Sequence, residues 1–236
     1  MTKRKVSEQI TRPPLKRVDL YINFNTQLAV SERRSEYYNL VKTSYPLVNI
    51  PKTANIEYNY GDCNFFSQDY LNMIGIATNY FSFSTIKYNK FVDFAGNFQK
   101  AWEEFQRLFG IESTTGIILI YENHIVTNKQ IGHNFPDYFD VRFNFPGEEE
   151  KTFLAVEGNF YFSAQEGVVK LDFKPIPIKD RPILEPDYSF ILEYRYTPKI
   201  LGEKNTNIME IINKGHKVID DIFFDSLSDK YHQFIK

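Results

Sequence analysis

The sequence predicts an α+β protein: one unit in which a bent, mostly antiparallel β-sheet of about seven to nine strands carries about three helices, the last of them long. Three observations lead there. Aromatics are heavy, 22 Phe and 16 Tyr with one Trp, a composition that suits packed sheet faces better than a Leu- and Ala-rich helical bundle. Several short segments alternate apolar and polar residues with the period of a half-buried strand. Two longer segments repeat apolar residues at three and four, as amphipathic helices do.

The organising stretch is Asn97–His124. Phe98, Ala101, Trp102, Phe105, Leu108 and Phe109 fall on one helical face, and Gly110 is the natural left-handed stop. Thr114 to His124 follows as a β-branched run too apolar for an exposed edge, so the helix is expected to pack on a central strand. Upstream, Arg12-Pro13-Pro14-Leu15 forces an extended start, and Val18, Leu20, Ile22 and Phe24 alternate with polar partners as a strand. Ser31 reads as an N-cap of a helix carrying Tyr37, Tyr38, Leu40, Val41 and Tyr45, which Pro46 ends. Residues 54–60, 71–78 and 80–88 read as strands, the last two joined near Asn79.

Beyond the central strand, residues 127–146 are punctuated by Gly132, Pro136 and Pro146 and read as an ordered loop with a short helix or edge strand. Phe153 to Phe162 and Gly167 to Phe173 read as antiparallel strands around a turn at 164–167. Pro175, Pro177, Pro182 and Pro186 make a stiff connector before a last strand over Tyr188–Tyr196. From Asn207, with Glu210 completing a capping box, Ile208, Ile211, Ile212, Ile219, Ile222, Phe223, Leu227, Tyr231 and Phe234 form one long stripe. Gly215 interrupts it, marking a close crossing or a small kink.

Residues 1–12 form a flexible basic arm, and 13–236 a single α+β domain or two related halves, 13–126 and 127–236. The first 17 residues carry +5 while the whole chain carries −2, so the body is mildly acidic. Such an arm can hold a nucleic-acid backbone, although no aromatic interleaves its charges, and a solvated terminus fits it better. One cysteine, Cys63, excludes an intrachain disulfide. With no apolar leader and no run long enough for a membrane helix, a soluble, cytoplasmic protein is expected.

Catalytic patterns are scarce. No Gly-rich phosphate loop, His-Glu-x-x-His, Cys-x-x-Cys or Gly-x-Ser-x-Gly is present, so no catalytic residue, metal or cofactor is assigned. His124 and His133, with Asp137 and Asp140, have suitable chemistry but fit no metal spacing; His216 and His232 lie too far apart to share an ion. The better candidate is the polar side of the sheet. If Val18, Ile56, Leu119 and Leu192 face the helices, then Asp19, Tyr21, Asn23, Glu57, Asn59, Glu122, His124, Glu193 and Arg195 share the opposite face. That face would suit a polar ligand or a peptide, and an ordinary solvated sheet surface is the plainer alternative.

Five landmarks in register carry a family resemblance: Pro13-Pro14-Leu15; Ala101-Trp102-Glu103-Glu104-Phe105; Ile118-Leu119-Ile120-Tyr121-Glu122-Asn123; Pro136-Asp137-Tyr138-Phe139; and Phe224-Asp225-Ser226-Leu227-Ser228-Asp229-Lys230. Together they resemble a sporadically distributed bacterial family of similar length that travels with mobile elements. Arg17 and Ile120 depart from its pattern, standing where an acid and an arginine are usual, so no site built on such a pair carries over. The resemblance implies a prokaryotic, mobile-element or antiviral-defence setting and brings no catalytic residues.

The leading expectation is therefore a non-enzymatic protein that binds a protein partner. The runner-up is a binding protein or enzyme for a small, nucleotide-like polar ligand on the polar sheet face. Nucleic-acid binding through residues 1–17 comes third; no membrane partner is expected, and a homo-oligomer is left open.

Overall fold

A computed structural model describes residues 13–50, 63–128, 130–132, 135–140, 157–164, 167–177, 188–198 and 207–236. The expectations for the arm at 1–12, the strand at 54–60 with Ile56, Glu57 and Asn59, His133, residues 141–156, and the connector prolines Pro182 and Pro186 lie outside the described residues; Pro175 and Pro177 are not connector but end the strand Gly167–Pro177. The elements run β1 (Leu15–Asn23), α1 (Ala29–Glu32), α2 (Arg34–Val41), β2 (Leu47–Asn49), β3 (Cys63–Phe66), β4 (Asn72–Ala77), β5 (Tyr80–Thr85), α3 (Phe91–Phe109) and β6 (Gly116–Val126). There follow α4 (Phe135–Tyr138), β7 (Gly158–Ala164), β8 (Gly167–Pro177), β9 (Tyr188–Pro198), α5 (Ile208–Ser226) and α6 (Asp229–Ile235).

The fold is α+β, as the alternation and aromatic content predict. The nine described strands form one sheet in the order β2-β3-β4-β5-β1-β6-β9-β8-β7, antiparallel at every step. Outward from the central β1–β6 pair, β5, β4, β3 on one side match β9, β8, β7 on the other, and β2 adds one further edge strand beyond β3. A long helix follows each outer set, α3 after β5 and α5 after β9.

Every described helix that contacts the sheet packs on one face, because period two sends alternate residues of each strand that way. On β1 these are Val18, Leu20 and Ile22, and on β6 Ile117, Leu119, Tyr121 and Ile125, all buried. Phe81 of β5 meets Phe98, Trp102 and Phe105 of α3 at centroid distances of 6.2, 5.3 and 5.1 Å. Tyr37 of α2 enters the same cluster against Phe65 and Phe105, and its hydroxyl donates to the Ala101 carbonyl at 2.9 Å. On the other half, Phe223 of α5 meets Tyr194, while Phe135 and Phe139 around α4 pack on Phe173 and Phe190.

Local signals fare unevenly. Gly110 closes α3 in the left-handed region with φ 65°, and Asn207 caps α5 by accepting from the Glu210 amide, both as the sequence predicts. Ser31 is not an N-cap: it lies inside α1, its hydroxyl donates back to the Leu28 carbonyl, and the chain restarts as α2 after Arg33. The long C-terminal stripe is two helices. Leu227 turns extended, with φ −80° and ψ 143°, fully buries its side chain and bridges to Phe139; Ser228 then caps α6 by accepting from the Tyr231 amide. The apolar repeat continues through the break because both helices face one core. Gly215 marks a close crossing, since a Cβ there would lie 2.4 Å from the Tyr196 ring.

Candidate functional site

The sheet face opposite the helices carries seven of the sequence-predicted residues and brings six of them together. Strand pairing sets Arg17 of β1 beside Glu122 of β6, Glu122 beside Glu193 of β9, and Glu193 beside Asp172 of β8. The next row runs Asp19, Ile120, Arg195, Lys170 and Tyr161 across β1, β6, β9, β8 and β7. His124 sits one step beyond Glu122, and Tyr21 one step beyond Asp19. Asn23 lies at the far end, opposite Gly116 and Tyr80 and away from the charged rows. Glu57 and Asn59 lie outside the described residues.

Three carboxylates abreast, Glu122, Glu193 and Asp172, would repel one another. Each is offset by a cation or imidazole two residues along its own strand. Lys170 lies 2.8 Å from Asp172, Arg195 is 3.1 Å from Glu193, and His124 is 2.6 Å from Glu122. On β1, Arg17 donates to Asp19 at 2.6 Å, which is how an aspartate only 2% exposed is tolerated on this side of the sheet. Burial disfavours the Arg17 charge, but the hydrogen bond and charge of Asp19 outweigh it and raise the Arg17 pKa. Burial, with Asp19 adding, raises the Tyr21 phenol as well. Lys170 and Asp172 complete the rows and were missed from sequence, although their alternation with Val169 and Leu171 carries the signal.

A second constellation lies on the helix side, and sequence reasoning did not find it. A cleft of about 480 Å³ opens between the end of β6, the start of α3 and the middle of α5, lined among others by Tyr88, Phe91, Tyr121, Asn123, His216 and Asp220. Tyr121 O–H lies 2.9 Å from His216 Nδ1, Tyr88 O–H 3.5 Å from that of Tyr121, and His216 Nε2 3.5 Å from Asp220. Phe91 stacks on the imidazole at 4.0 Å and 11°. Burial pushes His216 down to about 4 and Tyr121 well above its ordinary value. Asp220 rises to about 7 through burial, with the charge of Asp221 adding. Tyr88, Tyr121 and His216 form a chain of neutral hydrogen-bonding groups ending at Asp220, the opposite of what activates a nucleophile. His216 and Asp220, four apart on one helix, were the available signal; Tyr121 comes from a distant strand.

Other features are inert. Cys63 is buried and burial raises its thiol, which disfavours the reactive thiolate. Among the described residues no three His, Cys, Asp or Glu side chains gather as metal ligands, and no helix is long and apolar enough to cross a membrane. Neither protein-family profiles nor curated proteins match the chain.

Proposed function

We propose that the chain is a non-enzymatic recognition protein whose outer sheet face docks a protein partner. One observation carries this reading. The face left uncovered by the described helices combines Arg17, Arg195, Tyr21, Tyr161, Met73 and Phe66 across adjoining strands, and Arg, aromatic and Met side chains are those enriched at protein–protein interfaces. Tyr161 is 69% exposed, and the Nε of Arg195 is buried without a hydrogen-bond partner. Size agrees. Nine strands at ~4.8 Å spacing and about seven to eight residues long span roughly 40 by 25 Å, room for the ~800 Å² per partner of a standard interface.

Charge disfavours nucleic acid on this surface. Its cations are matched by carboxylates on the same strands, so little counterion release would accompany phosphate binding. A protein with its own mixed charges fits such rows better, and the family resemblance supports looking for that partner in a prokaryotic mobile-element or antiviral-defence system.

The test is affinity capture from a bacterial host, comparing the wild type with Tyr161→Ala/Arg195→Ala and with Leu40→Ala on the helix side. The reading requires a partner retained by wild type and L40A and lost by the face variant. Equal capture by all three proteins contradicts it.

A further inference from the structure

Alternation on β6 sends Ile117, Leu119, Tyr121, Asn123 and Ile125 toward the helices, so Asn123 is the one amide in an apolar and aromatic row. It is 4% exposed and lines the helix-side cleft, yet no hydrogen bond reaches its side chain among the described residues. Its amide opens on the cleft instead of on a partner within the protein. The same cleft is lined by Lys90 and Phe91, the opening of α3. That helix has no side-chain cap at Lys90, so its first N–H groups and the Lys90 ammonium offer donors to an anion, partly offset by Asp93 in the same turn.

We infer that this cleft is a binding site for a free nucleoside monophosphate or a close analogue, a planar ring with an amide-like edge and one anionic group. Asn123 presents a donor and an acceptor side by side, the pair that reads a nucleobase edge. Tyr88, Phe91 and Phe224 supply aromatic walls for the ring. The anion lies at the Lys90 and α3 end, beside the first helix amides; Asp220 lines the same cleft, so binding is expected to tighten as that carboxyl is protonated. About 480 Å³ is within the range of small-molecule sites and too small for a folded partner. The uncharged Tyr88–Tyr121–His216 chain holds the walls without competing for the phosphate. This site is independent of the recognition face, which lies on the other side of β6.

The experiment is calorimetric titration of the full chain with AMP, GMP, CMP and UMP, together with thermal unfolding of each variant without ligand. At least one mononucleotide is expected to bind at or below about 1 mM, and Asn123→Leu is expected to weaken it by about tenfold or more while raising the midpoint of the free protein. Lys90→Ala, at an exposed position, should weaken the nucleotide but not the matching nucleoside. The assignment is overturned if none of the four binds, if N123L binds equally well, or if N123L lowers the midpoint, which would make Asn123 a structural amide. Tighter binding of a single-stranded oligonucleotide would also overturn it, by assigning the cleft to strand ends instead of a free ligand.

Discussion

The phenol of Tyr121 lies 2.9 Å from Nδ1 of His216, tying the central strand to the long C-terminal helix across the core. Burial keeps that phenol protonated far above its ordinary range, so it donates and His216 accepts at Nδ1. The other imidazole nitrogen then faces Asp220, and Phe91 fixes the ring plane by stacking. Two titratable groups are thus held in unfavourable surroundings, with opposite consequences for stability.

His216 is depressed from 6.5 to about 4. The unfolded chain takes up its proton first, so stability is lost as pH falls from 6.5 toward 4. Asp220 is raised from 3.8 to about 7. The unfolded chain gives up that proton first, so stability is lost as pH rises from 3.8 toward 7. Each effect is on the order of 3 kcal/mol at full development, and between pH 4 and 6.5 they oppose. Asp220→Asn removes one arm. Urea unfolding should find this variant more stable than wild type above pH 7 and steeply less stable on acidification below pH 6.5; profiles parallel to wild type would contradict the assignment.

Gly215→Ala sets helix propensity against packing. Alanine is favoured over glycine in a helix by about 1 kcal/mol, but its Cβ would meet the Tyr196 ring at 2.4 Å, and that ring is 2% exposed. Crowding wins because the ring has no room to withdraw, and a net loss of about 1–3 kcal/mol is expected in denaturant unfolding. Pairing G215A with Tyr196→Leu should recover part of that loss.

Ser228→Ala removes the N-cap of α6. The hydroxyl accepts from the Tyr231 amide at 3.1 Å and donates to the Asp137 carbonyl, joining α6 to α4. A loss of about 1–2 kcal/mol is expected, with faster amide exchange confined to residues 229–235. Exchange spreading evenly over the whole sheet would show that the cap does not act locally.

Legibility followed the range of the interactions. The α3 stripe, Gly110, the Asn207 cap and the β1, β4, β5 and β9 alternations are local, and each appears where its pattern predicts. The break at Leu227 was hidden because Tyr231 and Phe234 keep the apolar rhythm beyond it; only Ser228 before Asp229 marked a new start. The boundary between α1 and α2 is masked in the sequence because Ser31 has N-cap chemistry, yet its hydroxyl turns back to Leu28. Alternation placed Asp19, Tyr21, Glu122, His124, Glu193 and Arg195 on one face but could not show which neighbours align, since register is set by pairing across the sheet. The cleft was illegible for the same reason: Tyr121 and His216 are 95 residues apart.

Site-specific photo-crosslinking in a bacterial host tests the recognition face most directly. A photoreactive residue is placed at Tyr161 or Met73 on the outer sheet face, and at Leu40 or Val92 on the helix side, where Leu40 is 45% and Val92 77% exposed. A single protein partner captured from Tyr161 and Met73 and from neither helix-side position is the predicted result. Capture from Leu40 or Val92 alone, or no adduct from either sheet-face position, would contradict the proposed role of that surface.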